Sequence, residues 1–331
     1  MNGYERIMNA IEGKPADMVP VWPFVMTFAA KLTNTPYGKF ASDYHYISES
    51  LIKVAEDFSL DAVTVDSDAY REASACGAEL VFPEDDLPYI SRHAIENPAD
   101  FSFPYIKIEN SPRLMDKILG VQTVKEYFGD DKAVCGWVEA PLQCAGTLYP
   151  MEDYMSDICD NPSFVEELLD YVTEMDIRFA VMQAEAGADI LGVGDAMASL
   201  VSPGCYEEIF LPYTRKLIQG IREKTDVKLK YHICGNSRHL WKYAKQIGFD
   251  IIQIDYPVKI EEAIALVGEK MCVKGNLNPM TLLSGPIDKI ISDTREILKG
   301  KNDRFILSPG CEVSRDTPVE NFRAFVNMRS V

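Results

Sequence analysis

Two short segments of the sequence carry residues whose types and spacing are typical of a metal site. His232 and Cys234 are separated by one isoleucine, and Cys311 follows near the C-terminal end of the chain. Residues two positions apart on an extended strand point the same way, so His232 and Cys234 could bind one ion. Imidazole nitrogen and thiolate sulfur are both zinc ligands. The competing interpretation is a hydrogen-bonded core histidine and unreactive buried thiols, because a His-x-Cys pattern is also common by chance.

The elements around these residues decide whether they can meet. Short apolar runs recur along the chain and alternate with segments of helical periodicity. Continuous apolar runs favour parallel strands buried on both faces, and strand–helix alternation favours βαβ units. We therefore predict an α/β protein, a (β/α)8 TIM barrel in a single domain of residues 1–331, with a doubly wound open sheet as the alternative. The predicted strands are residues 19–25, 62–65, 133–138, 190–193, 227–231, 251–254, 271–273 and 305–307.

Helices are predicted at the N-terminus and after the later strands. Apolar residues with helical spacing over residues 4–11 predict an amphipathic N-terminal helix. Between the second and third strands, residues 66–132 are too long for a simple connection, and we interpret them as an insertion over the barrel mouth. They include a predicted hairpin near residues 76–91 and a predicted helix near residues 114–127. The helices predicted after the fourth strand are residues 206–224, 237–247, 260–267 and 287–299.

Barrel topology brings the candidate ligands to one opening. His232 and Cys234 follow the fifth predicted strand, and Cys311 follows the eighth. Active sites of (β/α)8 barrels lie at the C-terminal face, where all strand ends meet. Three protein ligands are typical of catalytic zinc with an open position, whereas structural zinc usually has four. The sequence therefore predicts a Zn²⁺ site of His232, Cys234 and Cys311 at the barrel mouth.

Other polar residues fall at or after predicted strand ends. Asp255 follows the sixth strand and is a candidate for a fourth ligand or for a hydrogen-bond partner of His232. Asp195 follows the fourth strand and is a candidate for orienting the substrate, with capping of the next segment as the alternative. We assign both aspartates to catalysis. The candidates for substrate binding are Glu139, Gln143, Tyr256 and Asn276.

The overall composition restricts the possible partners. The chain carries a net charge of −18 at pH 7, which disfavours nucleic acid and anionic lipid surfaces. No run approaches the roughly 20 apolar residues of a membrane helix. The eight cysteines include no C-x-x-C pair and are too sparse for a disulfide scaffold, and the first residues lack the pattern of a signal peptide. We predict a cytoplasmic protein.

Several motifs together resemble the uroporphyrinogen decarboxylase superfamily. They lie in residues 4–23, 194–195, 202–203, 212–213, 232–236, 275–279 and 308–311. The resemblance covers nearly the whole chain and implies a (β/α)8 barrel. True decarboxylases carry an arginine-rich element just after the first strand, whereas residues 24–30 here contain no arginine. The chain is instead similar to the methylcobamide:thiol methyltransferase branch, which includes the coenzyme M-type enzymes.

This resemblance implies a function. The His-x-Cys…Cys signature of the branch, which binds zinc, matches His232, Cys234 and Cys311. The zinc would bind a small thiol as its thiolate, which would take a methyl group from a methylcobamide, or the transfer would run in reverse. Because we recognise no corrinoid-binding module, the methylcobamide is expected on a partner corrinoid protein docked over the mouth. In the similar zinc module of cobalamin-independent methionine synthase a glutamate ends the neighbouring strand, and Asp255 holds the corresponding position.

Other functions stay open at this point. The first is decarboxylation of a porphyrinogen or a related acid, which the composition of residues 24–30 disfavours. The second is a non-enzymatic barrel with a structural zinc, which would usually require a fourth protein ligand. A third keeps the methyltransferase but replaces the thiol with a folate or an amine.

Overall fold

The computed structural model describes residues 1–267 and 270–330 as an α/β structure built on a parallel sheet. The strands are β1 Ala62–Thr64, β2 Glu79–Val81, β3 Tyr89–Arg92, β4 Ala133–Glu139, β5 Ile190–Gly194, β6 Lys228–His232, β7 Ile251–Gln253, β8 Cys272–Leu277 and β9 Phe305–Pro309. The helices are α1 Gly3–Glu12, α2 Thr27–Leu32, α3 Tyr37–Ser42, α4 Tyr44–Asp57, α5 Arg71–Ala75, α6 Pro112–Phe128, α7 Pro141–Leu148, α8 Met151–Asp160, α9 Pro162–Glu185, α10 Pro203–Cys205, α11 Leu211–Arg222, α12 Trp241–Ile247, α13 Ile260–Val267, α14 Pro279–Ser284, α15 Ile287–Lys299 and α16 Val319–Val326.

Seven of the strands form one parallel sheet with a simple order. The order is β1-β4-β5-β6-β7-β8-β9, so strands that are neighbours in this sheet follow one another along the chain. Nearly every residue of these strands is buried, which explains their continuous apolar runs. Because all seven strands are parallel, their C-terminal ends lie on the same side of the sheet. This side is the predicted barrel mouth.

The prediction of a regular strand at residues 19–25 is wrong. The segment makes only isolated parallel bridges, one of them from Val21 to β9. Pro20 and Pro23 have no N–H to donate to a ladder, which explains the interruption. The carbonyl of Val21 also accepts the N–H of Asp61, the residue before β1. The segment therefore joins the two edge strands and completes the barrel without forming an eighth regular strand.

The other seven predicted strands and the insertion are confirmed. Most strand bounds agree within one residue, and the largest difference is that β8 continues to Leu277. In the insertion, β2 and β3 form the antiparallel hairpin and α6 covers the predicted helix. The hairpin connection forms an ion pair between Asp85 and Arg315, a residue after β9, with an N–O distance of 2.5 Å. The insertion therefore reaches the C-terminal side of the barrel.

The predicted helices are also present, with additions. The N-terminal helix α1 begins at a capping box formed by Asn2 and Glu5. The helix predicted at 206–224 begins earlier, as α10, and continues through a π-helical turn into α11. Helices α2, α3 and α4, which precede β1, were not predicted. No helix in the described ranges is both long and apolar enough to cross a membrane.

Candidate metal centre

The structure brings His232, Cys234 and Cys311 together at the barrel mouth. His232 ends β6, and the two cysteines each lie two residues beyond the end of a strand, β6 or β9. The Cys234 sulfur lies 3.4 Å from Nε2 of His232 and 3.5 Å from the Cys311 sulfur, and Cys311 Sγ lies 3.9 Å from the same nitrogen. The histidine is buried and the two cysteines are half-buried. In residues 1–267 and 270–330, this is the one group of three potential metal-binding side chains whose donor atoms converge.

These separations fit a zinc ion. With Zn–S bonds of about 2.3 Å and a Zn–N bond of about 2.0 Å, tetrahedral geometry places two sulfurs about 3.8 Å apart and sulfur about 3.5 Å from nitrogen. The observed separations of 3.4 to 3.9 Å lie close to these values. The sulfurs are too far apart for a disulfide, whose S–S bond is about 2.0 Å. Three donors leave one tetrahedral position for another ligand.

The contact between the two thiols makes them unequal acids. The hydrogen bond from Cys234, helped by His232, outweighs burial and lowers the pKa of Cys311 to about 4. The same hydrogen bond, together with burial, raises the pKa of Cys234. The contact thus favours ionisation of Cys311 over that of Cys234. A divalent cation between them would favour ionisation of both.

Aromatic packing sets the direction of the histidine ring. The ring centroid of His232 lies 6.1 Å from that of Phe24 and 5.8 Å from that of Trp137. Its Nε2 faces the two sulfurs, whereas Nδ1 is buried and has no hydrogen-bond partner among the described residues. An imidazole that binds a metal through Nε2 carries its proton on Nδ1. The ring is therefore oriented as a ligand through Nε2.

Asp255 lies beside the site, but it does not make the contact expected of it. Its Oδ2 accepts the N–H of Gly235 at 2.8 Å, and its Oδ1 accepts the N–H of Tyr256 at 2.7 Å. The alternative of a hydrogen bond to His232 is wrong, because His232 Nδ1 has no partner among the described residues and Nε2 faces the sulfurs. The oxygens of Asp255 also lie outside the group of converging donor atoms.

Glu139 ends β4, one of the strands whose C-terminal ends lie at the barrel mouth. Burial, together with the charges of Glu72 and Asp66, raises its pKa well above the usual range. The indole N–H of Trp137 donates to its Oε1 at 2.9 Å. Its charge also contributes to the raised pKa of Cys234. Glu139 is thus buried beside Trp137, and its contact with a ligand stays a prediction.

The structure does not bring Asp195 to the donor atoms. Its Oδ2 accepts a hydrogen bond of 2.5 Å from the Tyr231 hydroxyl, which also lies 2.8 Å from the Tyr206 hydroxyl. Because Tyr231 and His232 are consecutive on β6, their side chains point to opposite faces, and Asp195 shares the face of Tyr231. Burial raises the pKa of Asp195 to about 7. Asp195 occupies the N-cap position of the helical segment that follows, but its side chain makes no capping hydrogen bond within the described part of the chain.

The remaining candidates differ in how far their side chains are available. Gln143 accepts the backbone N–H of Met197 at 3.1 Å, which ties α7 to the loop after β5. Asn276, which lies on β8 rather than after it, donates to two backbone carbonyls that follow β7. Tyr256 is 52% exposed and is the one of these three free to meet a ligand from solvent.

Two buried lysines beneath the donor atoms were missed by sequence reasoning. Lys230 Nζ lies 4.5 Å from the ring centroid of Trp22, and Lys274 Nζ donates to Ser308 Oγ at 2.9 Å. Burial lowers the pKa of both ammonium groups. The sequence could have indicated Lys230, because it lies two residues before His232 on the same strand. Residues with this spacing share a face, so Lys230 points into the barrel as His232 does. The barrel interior is thus polar below the site.

Glu312, which follows Cys311, was also missed. Its Oε1 accepts hydrogen bonds from both the N–H and the hydroxyl of Thr27, each at 2.7 Å. Burial raises its pKa to about 7. The contact ties the start of α2 to the loop that carries Cys311.

Comparison with known proteins identifies the family. The family model "Uroporphyrinogen decarboxylase (URO-D)" matches residues 2–330. The chain belongs to this family. Methylcobamide:CoM methyltransferase MtaA of Methanosarcina barkeri (strain Fusaro / DSM 804) is 27% identical over 333 residues, covering 98% of this chain and 96% of that protein. A uroporphyrinogen decarboxylase of Mannheimia succiniciproducens is 25% identical over 348 residues, covering 98% of this chain and 95% of that protein.

Solved structures confirm the fold. A methyltransferase from Methanosarcina mazei superposes with a TM-score of 0.90 at 24% identity, over 99% of this chain and 98% of that chain. A B12-independent methionine synthase from Shewanella sp. W3-18-1 superposes with a TM-score of 0.56 at 14% identity, over 86% and 85% of the two chains. At these identities the likeness concerns the fold alone.

Proposed function

We propose that this chain is a zinc-dependent methyltransferase that moves a methyl group between a methylcobamide and a small thiol. The observation that carries the proposal is the convergence of His232 Nε2 and the sulfurs of Cys234 and Cys311, all within 3.9 Å of one another, at the barrel mouth. Relatives named as methylcobamide:CoM methyltransferases, which align over nearly the whole chain, support the choice of methyl carrier. We further propose that a separate corrinoid protein presents the methylcobamide at this mouth, and the cytoplasmic location stays a prediction.

The donor set suits methyl transfer to sulfur. A free thiol has a pKa near 8.5, so only a few per cent is ionised at neutral pH. Zinc bound by these residues would hold the substrate thiol at its fourth position as the thiolate. Methyl transfer to that thiolate would form a sulfur–carbon bond, and the cobalt–carbon bond of the methylcobamide would break with its electron pair going to cobalt, from Co(III) to Co(I).

The barrel positions the three donor side chains and the residues around them. The ends of β6 and β9 present the two cysteines from different strands, so the site depends on the closed barrel. Phe24 and Trp137 pack against the imidazole, Glu139 is buried at the end of β4, and Tyr256 is 52% exposed. Glu139 is therefore proposed to contact the thiol substrate, and Tyr256 to contact the substrate or the corrinoid.

A decarboxylase of a porphyrinogen is less well supported, although such enzymes are among the relatives. A substrate with several carboxylates requires cationic partners at the mouth. The charges of Asp255 and Glu139 contribute to the raised pKa of Cys234, and Glu312 follows Cys311. Residues 24–30 contribute no arginine. These acidic neighbours and the lack of arginine in residues 24–30 disfavour a multiply anionic ligand.

Anaerobic assay of the purified protein tests the proposal. Zinc content is measured first, and methylcob(III)alamin is then mixed with a panel of small thiols while its spectrum is followed. One zinc per chain and thiol-dependent formation of cob(I)alamin are expected. Cys311→Ala should lose both zinc and turnover, whereas Cys159→Ala, which removes an exposed free cysteine on α8, should lose neither. A wild-type protein that binds no zinc would overturn the proposal and favour metal-independent decarboxylation.

A further inference from the structure

Asp255 contacts the backbone on both sides of the candidate metal centre. Its Oδ2 accepts the N–H of Gly235, the residue after Cys234, at 2.8 Å. Gly235 has a φ of 74°, so the turn that follows Cys234 is held in a conformation that few other residues adopt. One oxygen of Asp255 thus fixes the loop that carries the first cysteine.

The same side chain packs against the loop that carries the second cysteine. Gly310 immediately precedes Cys311, and a β-carbon placed on Gly310 would overlap Oδ1 of Asp255. That β-carbon would also lie 2.9 Å from the Cα of Asp255 and 2.7 Å from the backbone nitrogen of Tyr256. These distances are shorter than van der Waals contact, and backbone atoms have little freedom to move away. Only glycine therefore allows the loop of Cys311 to lie this close to Asp255.

Asp255 is itself held in place by the neighbouring strand. Its carbonyl accepts a hydrogen bond of 3.1 Å from the amide of Asn276 on β8. Gly310 is tied to the same strand, because its N–H donates to the carbonyl of Leu277 at 2.8 Å. The end of β8 therefore serves as a common support for Asp255 and for the loop of Cys311.

We propose that Asp255 is a positioning residue that sets the separation of the Cys234 and Cys311 sulfurs and thereby the metal affinity of the site. It acts through Gly235 and Gly310, one neighbour of each cysteine, and not as a ligand. Both of its oxygens already accept backbone N–H groups, from Gly235 and Tyr256. This inference rests on the proposed metal site, but it is independent of the methyl carrier and of the thiol.

Metal affinity tests the inference without any methyl transfer. The dissociation constants of the full-length protein for Zn²⁺ and Co²⁺ are measured by competition with a chelating indicator. Loss of an outer-shell partner typically weakens metal binding about 10- to 100-fold, and this weakening is expected for Asp255→Ala. Asp255→Asn, which keeps one acceptor oxygen, should recover part of the affinity. The cobalt protein should show altered ligand-field bands in both variants, because the two sulfurs are no longer held at the same separation.

A double-mutant cycle separates positioning from general loss of structure. Gly310→Ala should weaken metal binding in both backgrounds, because its β-carbon would meet backbone atoms of residues 255 and 256 in either. It should weaken binding less in Asp255→Ala, because the contact with the carboxylate is gone. Gly204→Ala is the matched control, since nothing in the described part of the chain lies within 4 Å of a β-carbon there. Should Asp255→Ala fail to fold, Gly310→Ala and Asp255→Asn carry the test.

The possible outcomes are distinct. Equal metal affinity in wild type, Asp255→Ala and Gly310→Ala would overturn the positioning role and leave the proposed function intact. Additive effects of Asp255→Ala and Gly310→Ala would also overturn it, because two independent losses need no shared contact. A wild-type protein that binds neither metal would overturn the proposed function and the inference together. Weakened binding with strong coupling between the two positions would establish the role.

Discussion

The indole ring of Trp137 lies across Gly194, with its nearest atom 2.8 Å from the position that a β-carbon on that glycine would occupy. Gly192, two residues earlier on β5, stands in the same relation to the ring. The two glycines therefore leave the space inside the barrel that the indole fills. From there Trp137 packs against His232 and donates a hydrogen bond to Glu139. A glycine pattern on one strand thus orients a candidate ligand on the next.

Adding a methyl group at this contact should destabilise the barrel. Gly194→Ala is expected to lower the free energy of unfolding by about 1–3 kcal/mol, because overpacking forces filled neighbours out of their rotamers. The new β-carbon would also lie 2.7 Å from Oε2 of Glu139, so the indole and the carboxylate would both have to shift. Urea unfolding followed by circular dichroism measures the change. Gly204→Ala serves as control, and an equal effect of the two substitutions would contradict the packing argument.

The buried hydroxyl of Tyr231 gives a second stability prediction. It donates to Asp195 and lies within hydrogen-bond distance of the Tyr206 hydroxyl. The other oxygen of Asp195 has no partner in residues 1–267 and 270–330. Tyr231→Phe should therefore lower the free energy of unfolding by about 1–3 kcal/mol, since a buried polar group loses its partner.

Chemical denaturation of Tyr231→Phe and of an exposed counterpart checks this value. Tyr127 is 55% exposed and its hydroxyl bonds Glu56, so Tyr127→Phe should change the free energy of unfolding by less than about 0.5 kcal/mol. If Tyr231→Phe were as stable as wild type, the hydroxyl network would contribute nothing to the fold.

The sequence was sufficient to predict the barrel and the three converging donors. His232 and Cys311 follow the strands predicted at residues 227–231 and 305–307, and parallel topology brings such strand ends together. Local pattern and topology determine this part of the structure. The prediction of a first strand at residues 19–25 was wrong because it rested on the apolar pattern alone. The prolines in this segment lack the N–H groups that a regular strand needs for its hydrogen bonds.

Contacts between side chain and backbone were not predictable in this way. The position of Asp255 at a strand end was correct, but its engagement with Gly235 and its packing on Gly310 depend on how three loops meet in space. Asp195 illustrates the same limit, because a strand end places a residue near the mouth without deciding which face its side chain takes. Only the three-dimensional structure shows that Asp195 bonds the Tyr231 hydroxyl, on the face of β6 opposite to His232.

The acid sensitivity of the insertion gives a third prediction. Burial raises the pKa of Asp68, but the charges of Arg113 and Arg71 outweigh it and lower the pKa to about 2. The folded protein therefore binds this proton less readily than the unfolded chain, whose aspartate pKa is about 3.9. The resulting stability, roughly 2 kcal/mol, is fully present above about pH 4 and is lost as the pH falls to about 2.

Urea unfolding at several pH values tests this assignment. Asp68→Asn should be less stable than wild type at pH 7, and the difference should narrow as the pH falls from about 4 towards 2. Asp293→Asn, which removes an exposed ion pair with Lys289, should differ little from wild type at any pH. A difference for Asp68→Asn that stayed constant with pH would show that its charge is not the cause.

Removal of zinc from the site of His232, Cys234 and Cys311 should lower the stability of the protein. A ligand that binds only the folded state adds about 2.7 kcal/mol at a free concentration of 100 Kd, so zinc should raise the thermal midpoint and a chelator should lower it. Cys311→Ala should unfold at the same low thermal midpoint as the zinc-free wild type. Neither zinc nor the chelator should change that midpoint, because the loop after β9 then contributes no donor to the site. Cys159→Ala should respond as wild type does, since that exposed thiol lies on α8, outside the donor group. A chelator that lowered the midpoint of Cys311→Ala as much as that of wild type would place the stabilising zinc elsewhere in the chain.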